Sequence, residues 1–179
     1  KVALALSGGR DSAMCAVLLH RMVALDRPEL TGEALKQAVG DLLVTAYMAT
    51  ENSGSVTADA ARALAHEIGA NHLEGAIQKA IDTHLDLIGA MTGTRPSWAE
   101  PAHAIALQNV QARLRGSLIW MVANLHRALL ISTSNKSEAA VGYATMDGDT
   151  SGGLSPSPTC PSPSSRCGST GPGASTRAT

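Results

Sequence analysis

Short unbroken apolar runs alternate along this chain with longer segments in which apolar residues return every three or four positions. Val2 to Ser7 ends in Gly8-Gly9 and predicts a buried strand followed by a turn. Asp11 to about Leu25 predicts a helix capped by Asp11 or Ser12. Arg27 to Gly40 is a polar connection with room for a short helix. Leu42 to Ala49 predicts a second strand, and Ser55 to Ile68 a helix with Gly69 just past its end. Asn71 to Ile77 is a weaker strand signal, followed by a helical stripe of Ile77, Ile81, Leu85 and Ile88. Thr92 to Pro101 is a loop with two prolines. Ala104 to Arg127 predicts a long helix with Ile105, Val110, Leu114, Leu118 and Met121 or Val122 toward the core, and Ala128 to Thr133 a last buried strand. This β-α-β-α-β-α-α-β order predicts an α/β fold, a parallel sheet with helices on both faces.

The pattern stops near residue 154. From Ser155 to Thr179 there is no Leu, Val, Ile, Met or aromatic residue, only Ser, Pro, Thr, Gly, Ala, Cys and Arg. Such a segment buries too little apolar surface to offset its ordering entropy, so residues 155–179 are expected to be a disordered tail after a domain of residues 1–154. Over the 179 residues the formal net charge is -1, and no basic field points to nucleic acid. With four aromatic residues and no Phe, a base-stacking platform is not expected. No apolar run approaches the roughly 18 residues of a membrane span. Three cysteines make no disulfide framework and fit a reducing compartment. The six histidines show no metal-ligand spacing and read as surface or helix residues.

The sharpest chemical signal is Ser7-Gly8-Gly9-Arg10-Asp11-Ser12, between a strand and a helix. Its glycines permit close backbone approach, and successive N–H groups at a helix start form an anion nest. Ser7 and Ser12 add hydroxyls, and Asp11 can reach a magnesium ion held by phosphates. The segment lacks the Gly-Lys-Ser/Thr of a Walker loop and the third glycine of a dinucleotide fingerprint. The plainer reading is a Gly-Gly turn with a helix cap. A second signal, Leu107 to Arg115, puts Asn109 and Arg113 on one helix face, and Arg113 and Arg115 suit phosphate or carboxylate. A third, Ile131 to Tyr143, follows the last strand, where α/β proteins bind ligands. A fourth, Met146 to Gly153, alone is a polar loop.

The first segment resembles the signature of the N-type ATP pyrophosphatases, the PP-loop enzymes. Together, LQNVQARLRG, STSNKSEAAVGY and ATMDGDTSGGLSP with SGGRDS resemble the synthetase domain of NAD synthetases, particularly the glutamine-dependent type, from Val2 to about Pro156. The resemblance implies a doubly wound parallel sheet of the adenine nucleotide alpha hydrolase kind. It implies an ATP site at Ser7, Gly8, Gly9, Asp11, Ser12 and Thr133. It assigns a deamido-NAD site to Asn109, Arg113, Glu138 and Asp149, and a catalytic Mg2+ site to Asp11 and Glu138. The implied reaction is cytoplasmic, ATP-dependent amidation of deamido-NAD to NAD through an adenylated intermediate. Ammonia, free or drawn from glutamine, is the nitrogen donor, and AMP and pyrophosphate are released.

The same resemblance implies a homo-oligomer and an upstream glutaminase domain. It stops after Leu154-Ser155-Pro156, where family members continue with ordered helices and a lysine at the ATP phosphates; the tail has no lysine. The expectation is a fold incomplete at its C-terminus, with an out-of-frame tail and impaired turnover. The alternatives are a non-catalytic nucleotide-binding fragment or another PP-loop enzyme, such as a tRNA thiolase.

Overall fold

The first apolar run becomes strand β1 (Val2–Ala5), and it lies inside the sheet rather than at an edge. The computed structural model describes residues 1–155. On one side of β1 runs β2 (Leu43–Ala49), with Val2 opposite Leu43 and Ala5 opposite Ala46. On the other runs β4 (Leu129–Ile131), with Val2 opposite Leu129. β3 (Asn71–Ala76) pairs with β2, so the order is β3-β2-β1-β4 and every pairing is parallel.

Helices cover both faces, as the alternation of strand and helix signals predicts. Leu4, Leu6, Leu43, Tyr47 and Ile131 point to one face. They pack on α1 (Arg10–Asp26), α2 (Gly32–Leu42) and α3 (Ser55–Ile68) through Cys15, Ala16, Val23, Val39, Ala61, Ala65 and Ile68. On the other face Ala3, Ala46 and Leu130 meet Ile119 and Ala123 of α5 (Ala104–His126). α4 (Gln78–Thr92) adds Ile81 and Leu85, which pack with Ile77 against Leu107 of α5. The short α6 (Lys136–Val141) follows β4. Beyond it the chain returns to the sheet: Leu154 bridges Ile131 in parallel, and Ser132 N–H donates to the Leu154 carbonyl at 2.8 Å.

Several expectations are corrected. The helix allowed for in the polar connection is present as α2, and it runs on through Leu42, the residue expected to begin the second strand. On α5 the buried residues are Leu107, Ala112, Gly116, Ile119 and Ala123, while Ile105, Leu118 and Met121 are exposed. The reason is the sheet face below, built from the small Ala3, Ala5 and Ala46, which draws in the helix side that is also small. At Gly116 an added Cβ would stand 2.9 Å from the Asp147 carbonyl oxygen, so only glycine lets that chain segment lie on the helix. Ile88, placed on the α4 stripe, is exposed. His72 is neither a surface nor a helix residue: it lies on β3 with its side chain 11% exposed, and Nδ1 is 2.7 Å from the hydroxyl of the fully buried Thr45. Among the described residues no helix is long and apolar enough to cross a membrane. The reading of residues 155–179 as a disordered, out-of-frame tail lies, apart from Ser155, outside the described residues.

Candidate active site

The chain leaves β1 toward β2 and β3, then returns to place β4 on the opposite side of β1. The carboxyl ends of β1 and β4 therefore flank a topological switch point, the usual ligand crevice of an open parallel sheet. A cavity of about 400 Å³ opens there. Ser7, Gly9, Asp11 and Ser12 line it from the β1–α1 turn, and Thr133 and Glu138 from the segment after β4. Asp149, Arg115 and Tyr47 also line it.

The turn is internally bonded. Ser7 N–H donates to Ser12 Oγ at 3.2 Å, Ser12 Oγ–H donates to the Gly9 carbonyl at 3.0 Å, and Gly9 N–H donates to Ser7 Oγ at 3.2 Å. The expected cap is not formed: Gly9 is the N-cap, no side chain caps α1, and Asp11 and Ser12 lie within its first turn. Ser12 turns backward instead, accepting from the Ser7 N–H and donating to the Gly9 carbonyl, which also accepts from the Ala13 N–H at 3.1 Å. Among the described residues no side chain caps the first-turn N–H groups of α1, which suits an anion. Gly8 has φ +77, and a Cβ there would overlap the Thr57 carbonyl, so this bend requires glycine.

Asp11 and Glu138 meet through a residue not assigned a site role from the sequence. Asn135, 4% exposed, caps α6: its Oδ1 accepts from Glu138 N–H at 2.9 Å, and its own N–H donates to Glu138 Oε2 at 3.1 Å. Its Nδ2 donates to Asp11 Oδ2 at 3.3 Å. The Asn-x-x-Glu spacing of this capping box was the available signal. Asp11 Oδ1 remains buried with no partner among the described residues. An oxygen pair of this kind, one atom orphaned and both carboxylates on the cavity, fits magnesium, which takes one or two carboxylates and fills its octahedron with phosphate oxygens and water. Among the described residues no three His, Cys, Asp or Glu side chains cluster into a cage.

The arginines divide. Arg115 lines the cavity and donates from Nε to the Met48 carbonyl at 3.4 Å. Burial lowers its pKa, against the opposing pull of Asp149 and Tyr47. Arg113 is not part of the lining; its Nε donates to the Met146 carbonyl at 3.2 Å. Asn109, also outside the lining, accepts from Thr145 Oγ at 2.9 Å. Both therefore hold the turn of residues 145–149, whose Asp149 reaches the cavity and also accepts from Thr145 N–H at 2.9 Å. Cys15, below the site, is 1% exposed; burial and then the charge of Asp11 push its thiol pKa up, which argues against a nucleophile.

A family model described as NAD synthase matches residues 1–159. The glutamine-dependent NAD(+) synthetase of Mus musculus is 32% identical over an alignment that covers 86% of this chain and 26% of that protein. The solved glutamine-dependent NAD(+) synthetase of Cytophaga hutchinsonii superposes with a TM-score of 0.80 at 36% identity, covering 87% of this chain and 31% of that one. The Acinetobacter baumannii enzyme, solved with adenosine diphosphate, gives 0.64 at 28% identity, covering 86% and 25%. The chain spans about a quarter of the length of the curated relatives it matches.

Proposed function

The chain belongs to the NAD synthase family, and from that premise we propose that it serves the ATP-dependent amidation of deamido-NAD to NAD. The observation that carries the reading is the switch-point cavity, lined by an uncapped helix start and by Asp11 and Glu138, which Asn135 joins from behind the lining. The adenosine diphosphate bound by the Acinetobacter relative supports an adenine nucleotide as the ligand of this fold.

In this reading the β1–α1 turn receives the β- and γ-phosphates. Ser7, Gly8, Gly9 and Ser12 shape the cradle, the first-turn N–H groups of α1 face the charge, and Thr133 borders the nucleotide from the β4 side. The nicotinate carboxylate attacks the α-phosphorus, the bond to the β-phosphate oxygen breaks, and pyrophosphate leaves. Ammonia then attacks the carboxyl carbon of the adenylate, the C–O bond to AMP breaks, and the nitrogen loses its proton to water. The attacking carboxylate is already ionised, so no residue has to remove a proton in the first step. The protein contributes orientation and fixed dipoles. Asp11 and Glu138 would hold Mg2+, which neutralises charge on the departing pyrophosphate. Asn109 and Arg113 act on deamido-NAD through the turn that presents Asp149. A cytoplasmic setting, a second copy of the chain and ammonia, free or from a glutaminase region, belong to the same reading.

The test is incubation of the chain with ATP, Mg2+, deamido-NAD and ammonium, with nucleotides resolved by chromatography. Equal amounts of AMP and NAD, each dependent on deamido-NAD, are expected. ADP in place of AMP, or ATP cleavage indifferent to deamido-NAD, overturns the reading.

A further inference from the structure

We propose that Asn135 is a positioning residue that sets the carboxylates of Asp11 and Glu138 as a pair for one divalent cation. The inference rests on the reading above and extends it to a residue that touches neither nucleotide nor cavity. Asn135 is not part of the lining, yet it is 4% exposed and bonded on both ends of its amide. The orientation of that amide is fixed by its partners. Its oxygen must face the Glu138 N–H, and its nitrogen must face the Asp11 carboxylate, which only accepts.

The geometry goes beyond a helix cap. A cap needs the oxygen alone, and Ser, Thr or Asp supply it as well as Asn. The Nδ2 bond to Asp11 Oδ2 adds nothing to α6; it ties the start of α1 to the start of α6 across 124 residues of sequence. It also occupies one oxygen of Asp11 and leaves Oδ1 buried without a partner among the described residues. At the other end, the Asn135 N–H occupies Glu138 Oε2 at 3.1 Å. Each carboxylate thus has one oxygen held by the same residue, which fixes its rotamer. Magnesium tolerates little departure from octahedral geometry, so the orientation of its carboxylates bears directly on affinity. Residues that orient metal ligands typically change affinity by about 10–100-fold when removed.

The test separates capping from positioning. Asn135→Ser and Asn135→Gly both preserve an acceptable N-cap, and neither reaches Asp11. In the 179-residue chain, Mn2+ binding in the presence of ATP is followed by electron paramagnetic resonance. ATP binding in chelator is followed by calorimetry, and folding by the thermal midpoint. Expected are midpoints near that of the unaltered chain, unchanged ATP affinity in chelator, and Mn2+ affinity about tenfold weaker. Combination with Asp11→Asn should add little further loss. Mn2+ affinity within twofold of the unaltered chain in either folded variant overturns the proposal and leaves the enzymatic reading standing. Absence of ATP-dependent Mn2+ binding in the unaltered chain overturns both.

Discussion

The hydroxyl of Thr145 donates to Oδ1 of Asn109 at 2.9 Å, so the turn that carries Asp149 is fastened to the long helix by a side chain outside the cavity. Arg113 fastens the same turn through the Met146 carbonyl. If Asn109 serves deamido-NAD through this turn, Thr145→Val should reproduce the defect of Asn109→Ala. Each removes one hydrogen bond of about 1 kcal/mol, which is roughly a fivefold loss of deamido-NAD affinity. The double variant should lose little more than either single one. Calorimetric titration decides it; full affinity in Thr145→Val with a loss in Asn109→Ala would point to direct contact instead. Arg113→Lys should rescue Arg113→Ala poorly, because the bond to the Met146 carbonyl comes from Nε of a rigid guanidinium that the flexible lysine stem does not reproduce.

The two glycines of the β1–α1 turn should respond differently. Gly8→Ala forces a left-handed non-glycine residue, about 1–3 kcal/mol, and adds overlap with the Thr57 carbonyl. A thermal midpoint lower by at least about 5 °C is expected, with loss of ATP binding. Gly9 has ordinary φ, and its Cβ would meet only the Ser7 hydroxyl at 3.2 Å, so Gly9→Ala should fold. Gly9→Val and Asp11→Ala should each weaken Mg2+-dependent ATP binding by roughly tenfold or more, the first by placing a branched side chain on the cavity lining and the second by removing a charged contact. Equal midpoints for Gly8→Ala and Gly9→Ala would contradict this account of the turn.

Arg115 is a cation on the cavity wall with no carboxylate within ion-pair distance among the described residues, and burial raises the cost of its charge. An anionic substrate group would offset that cost. Arg115→Ala should therefore leave the fold in place and reduce substrate affinity by about 10–100-fold, the range for a hydrogen bond to a charged group. Separate titrations with ATP and deamido-NAD identify which substrate it serves. Unchanged affinity for both would make Arg115 a packing residue.

The layer order was legible because β1, β2 and β4 are short apolar runs and α1, α3, α4 and α5 each have a stripe or a stop; β3, mostly exposed, and α2, in a polar stretch, gave weaker signals. Ser55–Ile68 emerges as a helix at the boundaries that Gly69 and the 3.6-residue period imply. The face of α5 was legible only in part: Leu114 and Val122 pack on the core as expected. Hydropathy favours Ile105, Leu118 and Met121, whereas the sheet surface of Ala3, Ala5 and Ala46 selects Ala112, Gly116 and Ala123 by size. Arg115, marked from the sequence with Arg113 as suited to phosphate or carboxylate, shares that small-residue side and is the one of the two that lines the cavity. The motif residues Ser7, Gly9, Asp11, Ser12, Thr133, Glu138 and Asp149 converge on one cavity. The Asn135–Asp11 bond joins residues too far apart for any local window to pair.

His72 gives the fold a pH dependence of definite sign. Its Nδ1 lies 2.7 Å from the Thr45 hydroxyl, and Nε2 is buried without a hydrogen-bond partner among the described residues. Burial lowers the His72 pKa from its ordinary 6.5 and outweighs the opposing pull of Glu74, whose Oε1 is 3.6 Å from Nε2. Arg62 lowers it further, and Arg62 is itself held by Glu74 and Asp59 at 2.8 Å each. A depressed histidine binds fewer protons in the folded than in the unfolded chain below the unfolded pKa. Its contribution is therefore complete above about pH 6.5 and is lost as the pH falls below that value. Glu74, whose pKa Arg62 lowers from 4.5, adds stability that is present above its unfolded pKa and lost at more acidic pH. The two windows are thus separable. The thermal midpoint should decline between about pH 7 and pH 5.5, and His72→Asn should flatten that stretch while leaving the drop below about pH 4.5. Glu74→Gln should blunt the lower drop. A midpoint that declines equally between pH 7 and pH 5.5 with and without His72 would assign the dependence to other groups.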